Sequence, residues 1–156
     1  MKKYFIVLAG LFLLIFSLTA FNFPDNYLRY KNEIEIAGQR IKVILAQTPE
    51  TRAQGLSGRS YLREDEGMLF VFSAQGGSAS GGDRTPRFWM KDMLFPIDII
   101  WIDENLKVIY IKKDARPESF PETFGPDAEA LYVLEVAAGF SEKHNLQVGD
   151  RVELIY

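Results

Sequence analysis

Between Lys3 and Asp25 the chain carries no charged side chain. A helix of about 20 uncharged residues crosses the roughly 30 Å hydrocarbon core of a bilayer. A basic start followed by an apolar run is equally the layout of an export signal. The stretch Tyr4-Phe5-Ile6-Val7-Leu8-Ala9-Gly10-Leu11-Phe12-Leu13-Leu14-Ile15-Phe16 is apolar on every side. It has no polar face to turn to water, so it does not read as a helix of a globular core. The chain therefore divides into a signal or membrane-anchor segment over 1–24, a connector and strand start over 25–35, and a single domain over 36–156.

Cleavage needs small residues at the cut. The best candidate, Leu18-Thr19-Ala20, begins with a bulky leucine. The segment thus reads more as an uncleaved N-terminal hydrophobic helix, in the membrane through residues 4–23. Lys2 and Lys3 would stay in the cytoplasm and the domain would face outward. A cleaved signal would instead leave it secreted or periplasmic.

Of the 18 basic residues, two are Lys2 and Lys3; the other 16 face 21 acidic ones, a net charge of −5. No basic cluster offsets this, so the expectation is no nucleic-acid partner. There is no cysteine, which excludes disulfides, thiol chemistry and thiolate metal sites. About 130 residues must then hold together by their core alone, and that length suffices.

Hydropathy patterning predicts mostly strands. Glu33-Ile34-Glu35-Ile36 alternates with period two, Ala37-Gly38-Gln39-Arg40 reads as a hairpin turn, and Ile41-Lys42-Val43-Ile44-Leu45 as the return strand. Thr48-Pro49-Glu50 has the order of a helix start, with Thr48 as cap, Pro49 in the first turn and an acid at the positive dipole end. Gly55 and Gly58 end that helix early. Gly67-Met68-Leu69-Phe70-Val71-Phe72 is a strand-length apolar run. Residues 73–86, rich in Gly and Ser, read as a mobile loop. Strands are expected at 87–91, 97–103, 107–112, 131–136 and 151–156, a proline-bearing loop at 113–128 and a short helix at 138–144. The expected fold is mostly β with two short helices, a compact β-barrel or sandwich.

Several blocks carry a resemblance when taken in order. They are Arg52-Ala53-Gln54-Gly55-Leu56-Ser57-Gly58-Arg59 with Leu62, then Gly67-Met68-Leu69-Phe70-Val71-Phe72, then Phe88-Trp89-Met90-Lys91-Asp92-Met93 with Pro96-Ile97-Asp98. Tyr132-Val133-Leu134-Glu135-Val136-Ala137-Ala138-Gly139 and Val148-Gly149-Asp150 complete the set. Together they resemble the domain-of-unknown-function family 192 over roughly residues 36–155. The resemblance implies a small, largely β domain, often behind an export signal, and no established activity. The chain departs from the family in its longer 73–86 segment and in Ser57, where methionine is usual.

Chemistry is sparse. His144 is the only histidine, placed where a cation suits a helix C-terminus, and it reads as a solvated helix-end residue. Nothing near it resembles a nucleophile elbow. There is no phosphate loop, and no cofactor or metal is expected. Met68, Met90 and Met93 could offer soft ligands but read as core filler. Asp103-Glu104-Asn105 lacks calcium-loop spacing and reads as a turn.

The residues singled out are Asp98 and Glu135, charges inside apolar strands, which are either paired or costly. With Lys91, Trp89 and Arg52, and Arg59 as a further candidate, they are expected to meet in a ligand pocket. The competing reading is a pair of half-buried salt bridges that set strand register. The expected function is a cell-envelope binding or accessory module for a small molecule, glycan or peptide. A glycan hydrolase using Asp98 and Glu135 and a protein-interaction domain docking on membrane partners are the alternatives. Trp89, Trp101, Tyr110 and Tyr132 could form a sugar-stacking platform, though each reads singly as a core aromatic.

Overall fold

The computed structural model describes residues 32–72 and 85–155. The expectations for the N-terminal hydrophobic helix and for most of the 73–86 loop lie outside them. Among the described residues no helix is long and apolar enough to cross a membrane.

β1 (Asn32–Ile36) and β2 (Gln39–Ala46) form the expected hairpin. Ala37 and Gly38 both take positive φ, 51° and 70°, the requirement of the two-residue turn whose twist matches the flanking strands. Thr48 then caps α1 (Pro49–Gln54) through a reciprocal pair of bonds with Thr51. Gly55, at φ 52°, ends the helix. α1 carries the chain over to β3 (Glu66–Val71), which pairs with β2 in parallel. The remaining main strands are β5 (Ile97–Ile102), β6 (Val108–Ala115), β8 (Tyr132–Ala137) and β9 (Val152–Ile155).

These seven strands make one sheet in the order β6-β5-β8-β3-β2-β1-β9. The sheet curls into a half-barrel rather than the sandwich alternative. Its two edge strands approach each other at one place, through a bridge between Lys107 and Arg151 and the bonds from Val108 N–H to the Asp150 carbonyl and from Val152 N–H to the Leu106 carbonyl. A separate ribbon pairs β4 (Phe88–Trp89) with β7 (Thr123–Phe124). Two readings need correction here. The strand expected over 87–91 is two residues long. The segment 113–128 is not simply loop: β6 extends into it, and a 3-10 turn (Pro117–Ser119) and β7 follow. Both strands of the ribbon are too short for an alternation signal.

The sheet has two buried faces. Every one of the seven strands contributes to the inner core, which includes Ile34, Ile41, Leu69, Ile100, Val108, Leu134 and Val152. The outer face is covered over β2, β3, β5 and β8 by Leu56, Leu62, Met90, Met93 and Phe124. Met68, Met90 and Met93 are core residues, as the sequence suggests. β5 is buried along its whole length, which explains why every residue in it but Asp98 is apolar.

Candidate functional site

Asp98 lies on β5 with no exposed surface. It meets neither Lys91 nor any other cation among the described residues. Oδ1 accepts from the backbone N–H of Asp114 at 2.9 Å and of Gly139 at 3.3 Å, and Oδ2 accepts from Ser141 N–H at 2.8 Å. Asp114 is at φ 48° where the β5–β6 register shifts, the mark of a bulge. Asp98 is therefore the fastener that ties a bulge in β6 and the start of α2 (Phe140–Lys143) to the sheet.

The wall that Asp98 holds faces a groove of about 390 Å³. Residues 39–41 of the hairpin form one side, Glu64 and Asp65 a second, and 137–144 the third. Ile41 and Phe140, both buried core residues, back it. Lys143 reaches over to Glu64 at 2.6 Å, and that bond, together with the positive charge, holds the Glu64 carboxyl below its ordinary pKa. Asp65 is paired with Lys42 at 3.2 Å and Arg63 at 3.1 Å. The Lys42 bond, foremost, lowers its pKa. His144 caps α2 and lies with its ring 4.7 Å from Phe140, lining the groove. A half-buried ring against an aromatic is not the solvated helix-end residue its position suggested.

Glu135 is buried too, but it faces the other way and lacks such partners among the described residues. It pairs across the sheet with Met68 and Ile99, so it points to the outer face, away from the groove. It is 5% exposed, and Oε2 has no hydrogen-bond partner among the described residues. Burial raises its pKa from 4.5 to about 8, so near neutral pH it is largely a neutral acid.

The five-residue pocket does not assemble. Trp89 and Lys91 come together, with Lys91 Nζ 6.0 Å from the indole centroid. Arg52 donates from Nη1 to the carbonyls of Gln47 and Val71, and its guanidinium lies over Phe72. Asp98 is on the opposite face from Glu135. The salt-bridge alternative fails as well, because backbone amides satisfy Asp98. The glycosidase pairing fails too: the two carboxyls have the sheet between them and both are buried, so no sugar bond can lie between them. The sugar platform also changes membership. Trp101 is in the core, with Tyr110 edge-on at 5.3 Å, whereas Trp89 is exposed beside Phe120. Among the described residues no cluster of three or more metal-ligating side chains occurs.

Sequence reasoning passed over Glu64, Asp65, Phe140, Lys143 and the role of His144. None stands out in its own segment, and only the ring of hairpin, loop and helix makes them neighbours.

The model of DUF192, Uncharacterized ACR, matches residues 32–154. The chain belongs to DUF192. Two solved structures support the same fold. One, from Novosphingobium aromaticivorans DSM 12444, is described as a protein of unknown function. It is 27% identical, with a TM-score of 0.67 over 78% of this chain and 82% of that one. The other, from Sinorhizobium meliloti 1021, is described as a candidate transcription regulator. It is 30% identical, with a TM-score of 0.68 over 81% of this chain and 95% of that one. No curated protein matches. Within DUF192 terms, the Asp98 of the Pro-x-Asp block and the Ala137-Ala138-Gly139 block now have a joint structural meaning: the first secures the second, and the second walls the groove.

Proposed function

We propose that this DUF192 domain is a binding module that holds a small polar molecule in the groove between residues 39–41 and α2. The observation that carries this is the groove wall: a wholly buried carboxyl, Asp98, accepts the amides of Gly139 and Ser141 that shape it. Ligand pockets combine apolar surface, a few convergent polar groups and a volume of roughly 300–1,000 Å³. This groove, at about 390 Å³, is backed by the buried Ile41 and Phe140, with His144, Lys143, Arg40, Glu64 and Asp65 around them. Cations and acids face one another across it, which suits a ligand bearing groups of both signs. The basic-then-apolar start of the chain supports an address outside the cytoplasm, membrane-anchored or released.

A regulator role of the kind described for the S. meliloti protein draws no support from charge, since beyond Lys3 acidic residues outnumber basic ones. Docking through an open sheet edge is also less favoured, because β6 and β9 are stitched together at Lys107 and Arg151.

The test is an amide NMR titration of the purified protein with a panel of small zwitterions and anions. A ligand of this groove shifts Gly139, Lys143 and His144, and Lys143→Met weakens it severalfold. Binding that leaves these resonances still and is indifferent to Lys143→Met would remove the groove from consideration.

A further inference from the structure

We propose a second binding site, centred on Trp89, that takes a pyranose ring carrying an acidic substituent. The β4–β7 ribbon has an inner and an outer face. Phe88 and Phe124 turn inward, and Phe88 lies edge-on to Phe70 at 4.7 Å and to Trp101 at 5.7 Å. By alternation their chain neighbours Trp89 and Thr123, which pair with each other, turn outward. Trp89 is 54% exposed and Phe120, edge-to-face with it at 5.9 Å, is 44% exposed. Large aromatic surface left in water is uncommon and informative.

The platform is rigid before anything binds. Arg87 donates to the carbonyls of Gly125 at 2.8 Å and Thr123 at 2.9 Å. The segment after Trp89 is held by Ser57 Oγ donating to the Lys91 carbonyl at 3.1 Å and Gly58 N–H donating to the Asp92 carbonyl at 3.0 Å. Preorganisation of this kind reduces the entropy lost on binding.

A pyranose has an apolar C–H face and a polar edge. The indole matches the face, and an outward Thr123 hydroxyl beside it matches the edge. Lys91, whose ammonium stands 6.0 Å from the indole centroid, is placed for a carboxylate or sulfate on the same ring. A protein partner would need roughly 800 Å² of contact per side, far beyond two aromatic rings. The site stands apart from the groove: no residue of one lines the other.

The experiment is an NMR titration of the two indole N–H signals of the full chain, with Trp89 assigned by Trp89→Phe. The probes are an oligogalacturonate, a neutral oligosaccharide of the same length, and vesicles of anionic phospholipid. The oligogalacturonate should move the Trp89 signal. Trp89→Ala should weaken its binding about tenfold or more. Lys91→Met should weaken the acidic sugar severalfold while leaving the neutral one unchanged, and an unaltered thermal midpoint shows that these exposed substitutions leave the fold intact. No movement with either saccharide, equal binding by Trp89→Ala, or movement with vesicles alone would overturn the proposal.

Discussion

Asp98 and Glu135 occupy adjacent strands one residue out of register, Asp98 opposite Val136 and Glu135 opposite Ile99, and so face opposite sides of one sheet. A single-residue offset reverses the side on which a strand residue emerges. Two carboxyls that look alike in sequence thereby acquire unrelated roles.

The first prediction concerns Asp98. Asp98→Asn keeps the shape but sets an amide NH₂ against backbone donors, leaving buried N–H groups without acceptors. Thermal unfolding should show a loss of roughly 2–4 kcal/mol. Amide exchange should quicken at Gly139 and Ser141 more than in β5 itself. An unchanged midpoint would mean that these bonds do not hold the groove wall.

Glu135 predicts a pH dependence. Its folded pKa is raised to about 8 from 4.5. Below 4.5 both folded and unfolded chains hold the proton, and between 4.5 and about 8 only the folded chain does. This carboxyl's contribution is therefore most favourable at low pH, declines as pH rises through that window and levels off above it. The full swing is on the order of several kcal/mol. Glu135→Met removes the group and should raise stability most at pH 8–9, flattening the profile of the midpoint against pH. A variant no more stable than the parent at pH 9 would contradict the burial of an unpaired acid.

Gly67 is next to be tested. A Cβ there would lie 2.8 Å from the Glu135 carbonyl oxygen and 3.2 Å from side-chain atoms of Ile41 and Leu134. The backbone oxygen belongs to the neighbouring strand and cannot step aside. Gly67→Ala should destabilise by roughly 1–3 kcal/mol in urea unfolding; a neutral result would show the β3–β8 spacing to be looser than the structure has it.

Trp101 gives the fourth prediction. Its buried Nε1–H donates to the Pro86 carbonyl at 2.8 Å. Trp101→Phe should cost about 1–3 kcal/mol from the orphaned carbonyl, with added loss from the space vacated. A variant as stable as the parent would mean that this bond contributes nothing net.

Elements with a strong local signal were legible. The Ile34/Ile36 alternation, the Ala37-Gly38 turn, the Thr48 cap and the apolar runs of β3, β5 and β8 each announce themselves within a few residues. What was not legible depends on distant partners. β7 is two residues long and exists because Phe88 and Trp89 lie beside it. The parallel pairing of β2 and β3 leaves no trace in either strand. The candidate site suffered most. Charges inside apolar strands were correctly marked as unusual, but whether such a charge is fastened by amides or left unpartnered depends on which face it takes. The groove itself comes from three segments, 39–41, 64–65 and 137–144, that only the curl of the sheet unites.

That curl ends with β1 paired to β9, Glu33 opposite Ile155 and Ile36 opposite Val152. The first and last strands of the domain are neighbours. A ribosome delivers the chain from its N-terminus, so β1 must wait without its outer partner until β9 emerges. Ile34 and Ile36 stay partly uncovered until then. The domain thus completes itself only once β9 has been made, and a chain cut before Val152 loses the strand that seals the inner core.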